Sequence, residues 1–240
     1  MKYQFLVFDV DNTITESCSE ITDEMAGILN KLREEIVFIS GTHAFELKRM
    51  VSSKLNRKHH LLANVGTHYL LVYPDKEEEI YYETLDEEEK KEIILSLKKL
   101  KEEYKLLPLT SEEDQIQDGG SQITFSILGR NAPREMKESY DKDKEKRKKF
   151  VIFLGKIPGN EKYEFGIGGT TSIDITKKGN DKGTSLEKFM ENHHLLRDEL
   201  LFFGDQLSPG GNDYSVIKTG IKCIEVKNPE ETMRILEKLQ

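Results

Sequence analysis

The sequence predicts an α/β fold, in which a parallel sheet forms the core and an α+β module is inserted into that core. Two short continuous apolar runs, residues 5–8 and 36–39, flank a segment with helical spacing, as in strands buried on both faces of a parallel sheet. The same alternation of strand and helix returns after about residue 179. Between these regions, residues 122–128 alternate apolar and polar side chains, which is typical of an antiparallel strand.

The first 73 residues contain the opening strand, helix and strand. Residues 5–8 and 36–39 are the predicted strands. A helix is predicted between them because apolar residues recur every three to four positions: Ile21, Met25, Ile28, Leu29 and Leu32. A second helix is predicted over residues 43–55, followed by a strand at Leu61 and Leu62. This order favours a parallel sheet.

The inserted α+β module is predicted to span residues 84–178. It opens with a highly charged helix over residues 85–107, whose apolar side chains have helical spacing. A second solvated helix is predicted over residues 141–149. Antiparallel strands are predicted at residues 122–128, 163–167 and 172–175.

The C-terminal part again alternates predicted strands and helices, as the first 73 residues do. A helix stripe at Leu186, Phe189 and Met190 precedes predicted strands at residues 200–203 and 221–226. The sequence Asn228-Pro229-Glu230-Glu231 predicts a helix start, with a cap, a proline at the first position and acids in the first turn. We therefore predict that residues 1–83 and 179–240 form one core domain and that residues 84–178 form an inserted domain.

Composition narrows the functional classes. The chain has 240 residues and a formal net charge of -8, so it lacks the basic footprint of a nucleic-acid-binding protein and nothing favours an anionic membrane. Cys18 and Cys223 provide no disulfide framework and no metal-type spacing, as expected in a reducing compartment. The sequence shows no apolar stretch approaching the ~20 residues that span a bilayer. We expect a cytoplasmic protein without nucleic-acid or membrane partners.

Polar side chains follow several predicted strands. Asp9 and Asp11 follow the first strand, Ser40 follows the second, and Asp205 follows the apolar run Leu201-Phe202-Phe203. Asn212 and Asp213 lie in the glycine-flanked loop SPGGND, which we expect to fold back toward the same edge, where open α/β sheets bind ligands. Two carboxylates ~4 Å apart repel each other by about 4 kcal/mol at an effective dielectric of 20, so a cation must offset them. Oxygen ligands of this kind suit Mg²⁺.

The same residues predict phosphoryl transfer. Asp9 is the predicted nucleophile, which forms an aspartyl phosphate, and Asp11 is the predicted general acid and base. Ser40 is predicted to donate a hydrogen bond to the transferring group, and Thr13 to brace the loop. Lys182, at the start of a predicted helix, supplies a positive charge. The backbone carbonyl of Asp11 is a further metal ligand beside the predicted ligands Asp9, Asp205, Asn212 and Asp213.

Four ordered segments carry a family resemblance: DVDNTIT, ISGT, NDKGTSL and FFGDQLSPGGND. Together they resemble the signatures of the haloacid dehalogenase superfamily, and the inserted module resembles its type IIB cap on a Rossmann-like core. GGTTSID and the spacing between Asp205 and Asp213 are similar to the eukaryotic-type phosphomannomutases. That resemblance implies that Arg130, Ser172 and Asp174 in the cap hold a sugar phosphate, with Gly41 as a further substrate-binding residue. A purely structural interpretation is also open for these residues. Arg130 would then be a solvated loop residue, and Ser172 and Asp174 would alternate on one face of an ordinary strand.

Three functions follow from the sequence. The leading hypothesis is a Mg²⁺-dependent phosphatase acting on a sugar phosphate or similar small phosphometabolite, because the stretch QDGGSQ lacks the further cap arginine of the mutases. The alternative is a phosphomannomutase that interconverts mannose 6-phosphate and mannose 1-phosphate. A non-catalytic phospho-sensor or receiver-like protein is the third. A homodimer through the cap is an additional expectation.

Overall fold

A computed structural model describes residues 3–239, which divide into two compact units. The core unit runs up to Tyr82 and resumes at Asn180. The inserted unit is Glu83–Gly179. Each unit encloses hydrophobic side chains of its own.

The strands and helices follow one another along the chain as short elements. The strands are β1 (Phe5–Phe8), β2 (Glu35–Ile39), β3 (His59–Ala63), β4 (His68–Val72), β5 (Glu77–Tyr82), β6 (Ile116–Asp118), β7 (Gln122–Ser126), β8 (Tyr163–Gly168), β9 (Ser172–Lys177), β10 (Leu200–Gly204) and β11 (Lys222–Glu225). The helices are α1 (Asp23–Leu29), α2 (Ala44–Val51), α3 (Glu87–Tyr104), α4 (Arg134–Tyr140), α5 (Glu145–Gly155), α6 (Lys182–His193), α7 (Tyr214–Lys218) and α8 (Pro229–Leu239).

The core unit is built on one mixed sheet with the strand order β11-β10-β1-β2-β3-β4-β5. The strands from β11 to β3 are parallel, and Val7 of β1 lies between Phe202 and Val37. Phe5, Leu6, Val7 and Phe8 are all buried, which explains the continuous apolar run in the sequence. The α/β class and the parallel core sheet are therefore confirmed.

Helices cover both faces of this sheet. Met25 of α1, Leu47 of α2 and Leu236 of α8 join one hydrophobic layer with Phe8. Leu186 of α6 and Val216 of α7 join the opposite layer, which includes Val7. Because helices cover both faces, the place for polar groups that could contact a ligand is beyond the carboxyl ends of the strands.

The antiparallel edge of this sheet was not predicted. β3 and β4 pair as a hairpin, with His59 opposite Val72, and β4 pairs in turn with β5. Glu77, Glu78 and Glu79 make β5 largely exposed and polar, so its sequence has little apolar periodicity to identify a strand. The charged side chains also suit an edge strand, because they oppose pairing with another sheet.

The inserted unit is an antiparallel sheet with helices against one face. Its strand order is β6-β7-β9-β8. Ile123 and Phe125 of β7 pack with Leu97 of α3 and Phe150 of α5. The alternate side chains of β7 and β9 are polar, so the second face of the sheet is hydrophilic.

Several predicted helices have different limits in the structure. The helix predicted over residues 141–149 begins at Glu145 and continues to Gly155, because the Asp141 carboxylate accepts the N–H groups of Lys146 and Arg147 at its start. α4 precedes it and was not predicted. The helix predicted over residues 43–55 ends at Val51.

α3 is 18 residues long but strongly charged. Among residues 3–239, no helix combines the length and the apolar character needed to cross a bilayer.

Candidate active site

The candidate site lies at the carboxyl edge of the parallel strands. Asp9 follows β1, Ser40 follows β2, and Asp205 follows β10. The Asp9 N–H donates to Phe203 O at 2.9 Å, and the Ser40 N–H donates to Leu62 O at 3.1 Å. Because β1 lies between β10 and β2, the sheet register brings these polar residues to neighbouring strand ends.

Three carboxylates converge at this edge. Within residues 3–239, oxygens of Asp9, Asp205 and Asp213 lie within 4.8 Å of one another. Asp9 is 3% exposed and Asp213 is 0% exposed. The loop after β10 folds back so that the Gln206 N–H donates to Asp213 Oδ2 at 3.1 Å. Gly204 makes this approach possible, because a Cβ there would overlap the Asp213 carboxylate.

Lys182 supplies the positive charge within this cluster. It is the first residue of α6 and is 3% exposed. Its Nζ donates to Asp9 Oδ1 and, at 2.6 Å, to Asp213 Oδ1. The Asp181 carboxylate accepts the Thr184 N–H at 2.9 Å and so fixes the start of the helix. A buried ammonium requires partners of this kind, since an unpaired one would cost several kcal/mol.

Burial and charge shift the proton affinities of this pair. Burial raises the pKa of Asp9 to about 6, although Lys182 opposes the shift and Asp213 adds to it. Burial alone would lower the pKa of Lys182, but the carboxylates of Asp9 and Asp213 outweigh it and hold that pKa above its ordinary value. Lys182 therefore stays charged while Asp9 remains a carboxylate of raised basicity.

The cluster fits a divalent cation. Three carboxylates face one ammonium, so the described groups carry an excess of negative charge. Asp205 Oδ1 is buried and has no hydrogen-bond partner among the described residues. An unpartnered buried acceptor is costly, and a cation would satisfy it. The all-oxygen donor set is the one that Mg²⁺ prefers.

Asp11 occupies a different position from Asp9. Its Oδ1 accepts the Cys18 N–H at 2.7 Å, so its carboxylate is turned toward the loop that follows β1. Asn12 adopts left-handed backbone with a φ of 59°, a conformation that asparagine tolerates. Thr13 donates to Asp9 Oδ2 at 3.0 Å and thereby braces the carboxylate beside it.

Ser40 is poised to donate a hydrogen bond. It is 3% exposed, and its Oγ accepts the Thr42 N–H at 3.1 Å. Because Oγ acts as the acceptor there, its proton remains available for an oxygen of a ligand. Gly41, next to it, is exposed.

The inserted unit brings Ser172 and Asp174 together on the polar face of its sheet. Thr124 donates to Asp174 Oδ1 at 2.7 Å, and the hydroxyls of Ser126 and Ser172 are 3.4 Å apart. Burial raises the pKa of Asp174. Arg130 is an exposed residue of the loop after β7, and among the described residues its guanidinium forms no hydrogen bond or ion pair with Ser172 or Asp174.

The predicted site residues thus fall into several groups. Asp9, Asp205, Asp213 and Lys182 meet in one cluster, whereas Asn212 is exposed and the Asp11 carboxylate bonds to Cys18. Two supporting groups were missed: the backbone N–H of Gln206 and that of Cys18. No side-chain signal identifies a backbone donor, so the sequence could not have revealed either.

Comparison with known proteins identifies the family. Residues 115–240 match the family model of the eukaryotic phosphomannomutases. A phosphomannomutase of Spinacia oleracea is 30% identical over 95% of this chain and 92% of its own length. A phosphomannomutase of Saccharomyces cerevisiae is 28% identical over 98% of this chain and 93% of its own length.

Solved structures agree on the fold. A haloacid dehalogenase-like hydrolase from Bacteroides thetaiotaomicron matches over 100% of both chains with a TM-score of 0.67 and 16% identity. An N-terminally truncated IMP-nucleotidase of Plasmodium falciparum matches 99% of this chain and 70% of its own chain, with a TM-score of 0.68 and 16% identity. The chain therefore has the fold of a haloacid dehalogenase-like structure, and it is a phosphotransferase enzyme that belongs to the eukaryotic phosphomannomutase family.

Proposed function

We propose that the protein is a phosphomannomutase that interconverts mannose 6-phosphate and mannose 1-phosphate through a phosphorylated Asp9. The observation that carries the proposal is the buried cluster of Asp9, Asp213 and Lys182, in a chain that matches phosphomannomutases over nearly its whole length. This assignment replaces the phosphatase as the leading function, because full-length similarity to mutases outweighs one missing cap arginine.

Asp9 is the proposed nucleophile. Its Oδ2 is held by Thr13 and its Oδ1 by Lys182, so the carboxylate is fixed in orientation. An oxygen of Asp9 attacks the phosphorus at position 1 of a mannose bisphosphate. The bond from that phosphorus to the sugar oxygen breaks, which releases mannose 6-phosphate and leaves an aspartyl phosphate. The 6-hydroxyl of mannose 1-phosphate then attacks the aspartyl phosphate, the bond from phosphorus to Asp9 breaks, and the bisphosphate forms again.

Asp11 is the proposed general acid and base. It donates a proton to the departing sugar oxygen and later removes one from the attacking sugar hydroxyl. To do so its carboxylate must leave the Cys18 N–H, whose hydrogen bond holds it at 2.7 Å. Ser40 donates its hydroxyl proton to a phosphoryl oxygen, and Lys182 balances the charge of the transferring group.

Mg²⁺ is the proposed cofactor, with ligands from Asp9, Asp205 and Asp213, the backbone carbonyl of Asp11 and Asn212. When bound, it neutralises charge on the phosphoryl oxygens and on the acidic cluster. The excess negative charge of the cluster and the unpartnered Asp205 Oδ1 support this assignment.

The inserted unit is proposed to bind the sugar phosphate. Ser172 and Asp174 offer hydrogen-bonding groups to sugar hydroxyls, and Thr124 orients the Asp174 carboxylate at 2.7 Å. The exposed guanidinium of Arg130 suits a phosphate, which it can bind in bidentate fashion. Gly41 leaves room beside Ser40 for the phosphoryl group.

A sugar phosphatase is the second candidate, and one observation favours it. The turn between β6 and β7 contains Gly119, Gly120 and Ser121 and presents no cation of its own. Lys90 reaches this hairpin but is paired with Asp118 at 2.8 Å. A mutase must hold phosphate at two positions of the sugar, whereas a phosphatase needs to hold it at one.

The experiment that separates these functions measures the fate of the phosphoryl group. Purified protein is incubated with Mg²⁺, mannose 1-phosphate and a mannose bisphosphate activator. The mutase predicts accumulation of mannose 6-phosphate with little inorganic phosphate. Stoichiometric inorganic phosphate without mannose 6-phosphate would instead establish the phosphatase. Asp9→Asn is the control, and we expect it to show neither product.

A homodimer through the inserted unit stays a prediction. Leu95 on α3 and Ile152 on α5 are each 57% exposed, which supports an apolar contact on this unit. Sedimentation velocity of the wild type and of a Leu95→Glu, Ile152→Glu variant tests it. A monomeric wild type would contradict the prediction.

A further inference from the structure

The loop that follows β3 has an unusual backbone at the carboxyl edge of the sheet. Asn64, Val65 and Gly66 all have positive φ, at 49°, 55° and 82°. Valine is β-branched, so left-handed backbone crowds its side chain against the following carbonyl group. Strained residues of this kind persist only where the surrounding structure holds them, and they concentrate at functional sites.

The backbone of Val65 is bonded on both sides. Its N–H donates to the carbonyl of Ser40 at 2.8 Å, and the N–H of Asn64 donates to the carbonyl of Thr42 at 3.1 Å. The carbonyl of Val65 accepts a hydrogen bond from the hydroxyl of Ser185. The loop therefore connects the segment that begins with Ser40 to helix α6.

Helix α6 is also the helix that carries Lys182. Ser185 lies one turn further along the same helix and is 8% exposed. Gly66 packs so tightly against it that a Cβ at Gly66 would overlap the Ser185 side chain. This contact through Val65 therefore links the Ser40 loop to the helix that begins with Lys182.

We infer that Val65 and Ser185 are positioning residues that hold the Ser40 hydroxyl in register with Lys182 during phosphoryl transfer. The inference rests on the proposed function, in which Ser40 and Lys182 contact the transferring group. Both groups must sit within a fraction of an ångström of productive geometry, and a misplacement of about 1 Å can cost 10²-fold in rate. In this left-handed conformation the N–H of Val65 bonds to Ser40 and its carbonyl bonds to Ser185.

The variant Ser185→Ala removes the bond to Val65 and leaves a good helix former in α6. We expect kcat for mannose 1-phosphate to fall about 10-fold, with KM changed less than about twofold, because the substrate-binding groups of the inserted unit are untouched. We also expect hydrogen exchange at the Val65 amide to accelerate by about 10-fold or more.

Two further variants control for a purely structural effect. Thr219→Ala removes another buried hydroxyl that donates to a backbone carbonyl, that of Val216 at 2.7 Å, at the C-terminal end of α7. It should lower the melting temperature without changing kcat. Val65→Asn keeps both backbone groups and tolerates a positive φ, so it should retain wild-type kcat.

The outcomes are distinct. An unchanged kcat or an unchanged Val65 exchange rate in Ser185→Ala overturns the inference, as does a tenfold loss of kcat in Thr219→Ala or Val65→Asn. If the wild type fails to convert mannose 1-phosphate at all, the proposed function is wrong. The exchange rate of the Val65 amide then still decides whether α6 holds the loop.

Discussion

The candidate residues of the core unit and those of the inserted unit differ in how far their charged side chains are buried. In the core unit, Asp9, Asp213 and Lys182 are buried and paired with one another. In the inserted unit, Asp174 is bonded to the hydroxyl of Thr124, and Arg130 is exposed to solvent. Buried charge pairs interact strongly and tolerate little change, whereas polar groups that are partly or fully exposed contribute modestly and can adapt. Under the proposed function, this contrast predicts that the core unit carries the reaction chemistry and that the inserted unit sets substrate choice.

Loss of Lys182 should produce the largest effect of this contrast. Lys182→Met leaves two buried carboxylates without their cation, so we expect unfolding free energy to fall by about 3 to 5 kcal/mol and turnover to fall by about 10³-fold or more. Denaturant unfolding and steady-state kinetics measure both. The matched control is Lys48→Met, which breaks the exposed ion pair with Glu77 and should cost at most about 1 kcal/mol. Equal destabilisation by the two variants would break the contrast.

Replacement of Asp11 should affect the reaction without affecting the fold. Asp11→Asn keeps an oxygen that can accept the Cys18 N–H, so stability should hardly change. Turnover of mannose 1-phosphate should fall by about 10² to 10⁴-fold, the usual contribution of general acid and base catalysis. The first turnover of p-nitrophenyl phosphate, whose leaving group needs no proton, should fall much less. A similar loss in that burst would argue against a role as general acid.

A change in the inserted unit should alter recognition and leave the chemistry intact. Asp174→Asn removes the charge that Thr124 orients, so we expect KM for mannose 1-phosphate to rise by about 10-fold or more. Turnover of p-nitrophenyl phosphate should stay at the wild-type rate. Glu164→Gln, on the neighbouring strand β8, is the control. An equal loss with both substrates would place Asp174 in the chemistry.

The pH profile gives the smallest and most graded test. Because burial raises the pKa of Asp9 to about 6, the nucleophile is ionised above that pH and protonated below it. At low Mg²⁺, kcat/KM should therefore fall about tenfold per pH unit below about pH 6. Saturating Mg²⁺ favours the carboxylate and should move this limb to lower pH. If the acidic limb of the kcat/KM profile did not move with Mg²⁺ concentration, Asp9 would not be a ligand of the cation.

The sequence predicts the parts of this arrangement that local patterns encode. The strands before Asp9 and Asp205 are continuous apolar runs, and parallel pairing brings their ends together. The start of α6 at Lys182 and the proline at the start of α8 are also local signals, which the structure contains.

Local sequence patterns do not predict contacts between segments that are distant along the chain. Arg147 is 1% exposed and pairs with Asp141 at 2.8 Å, yet in the sequence it sits in a run of charged residues that indicates a solvated helix. The link from Ser40 through Val65 to Ser185 depends on a backbone conformation that valine disfavours and on the close approach of Gly66. The free-energy cost of burying Arg147 and of the strained backbone at Val65 is offset only by contacts that form in the packed fold.

The most direct test of the account is to find where the phosphoryl group resides during the reaction. The protein is mixed with Mg²⁺ and a mannose bisphosphate labelled in its phosphate, quenched in acid and digested for mass spectrometry. We predict a label on the peptide that contains Asp9, which disappears in Asp9→Asn and is discharged by unlabelled mannose 1-phosphate. A label on another residue, or wild-type turnover by Asp9→Asn, would contradict the account.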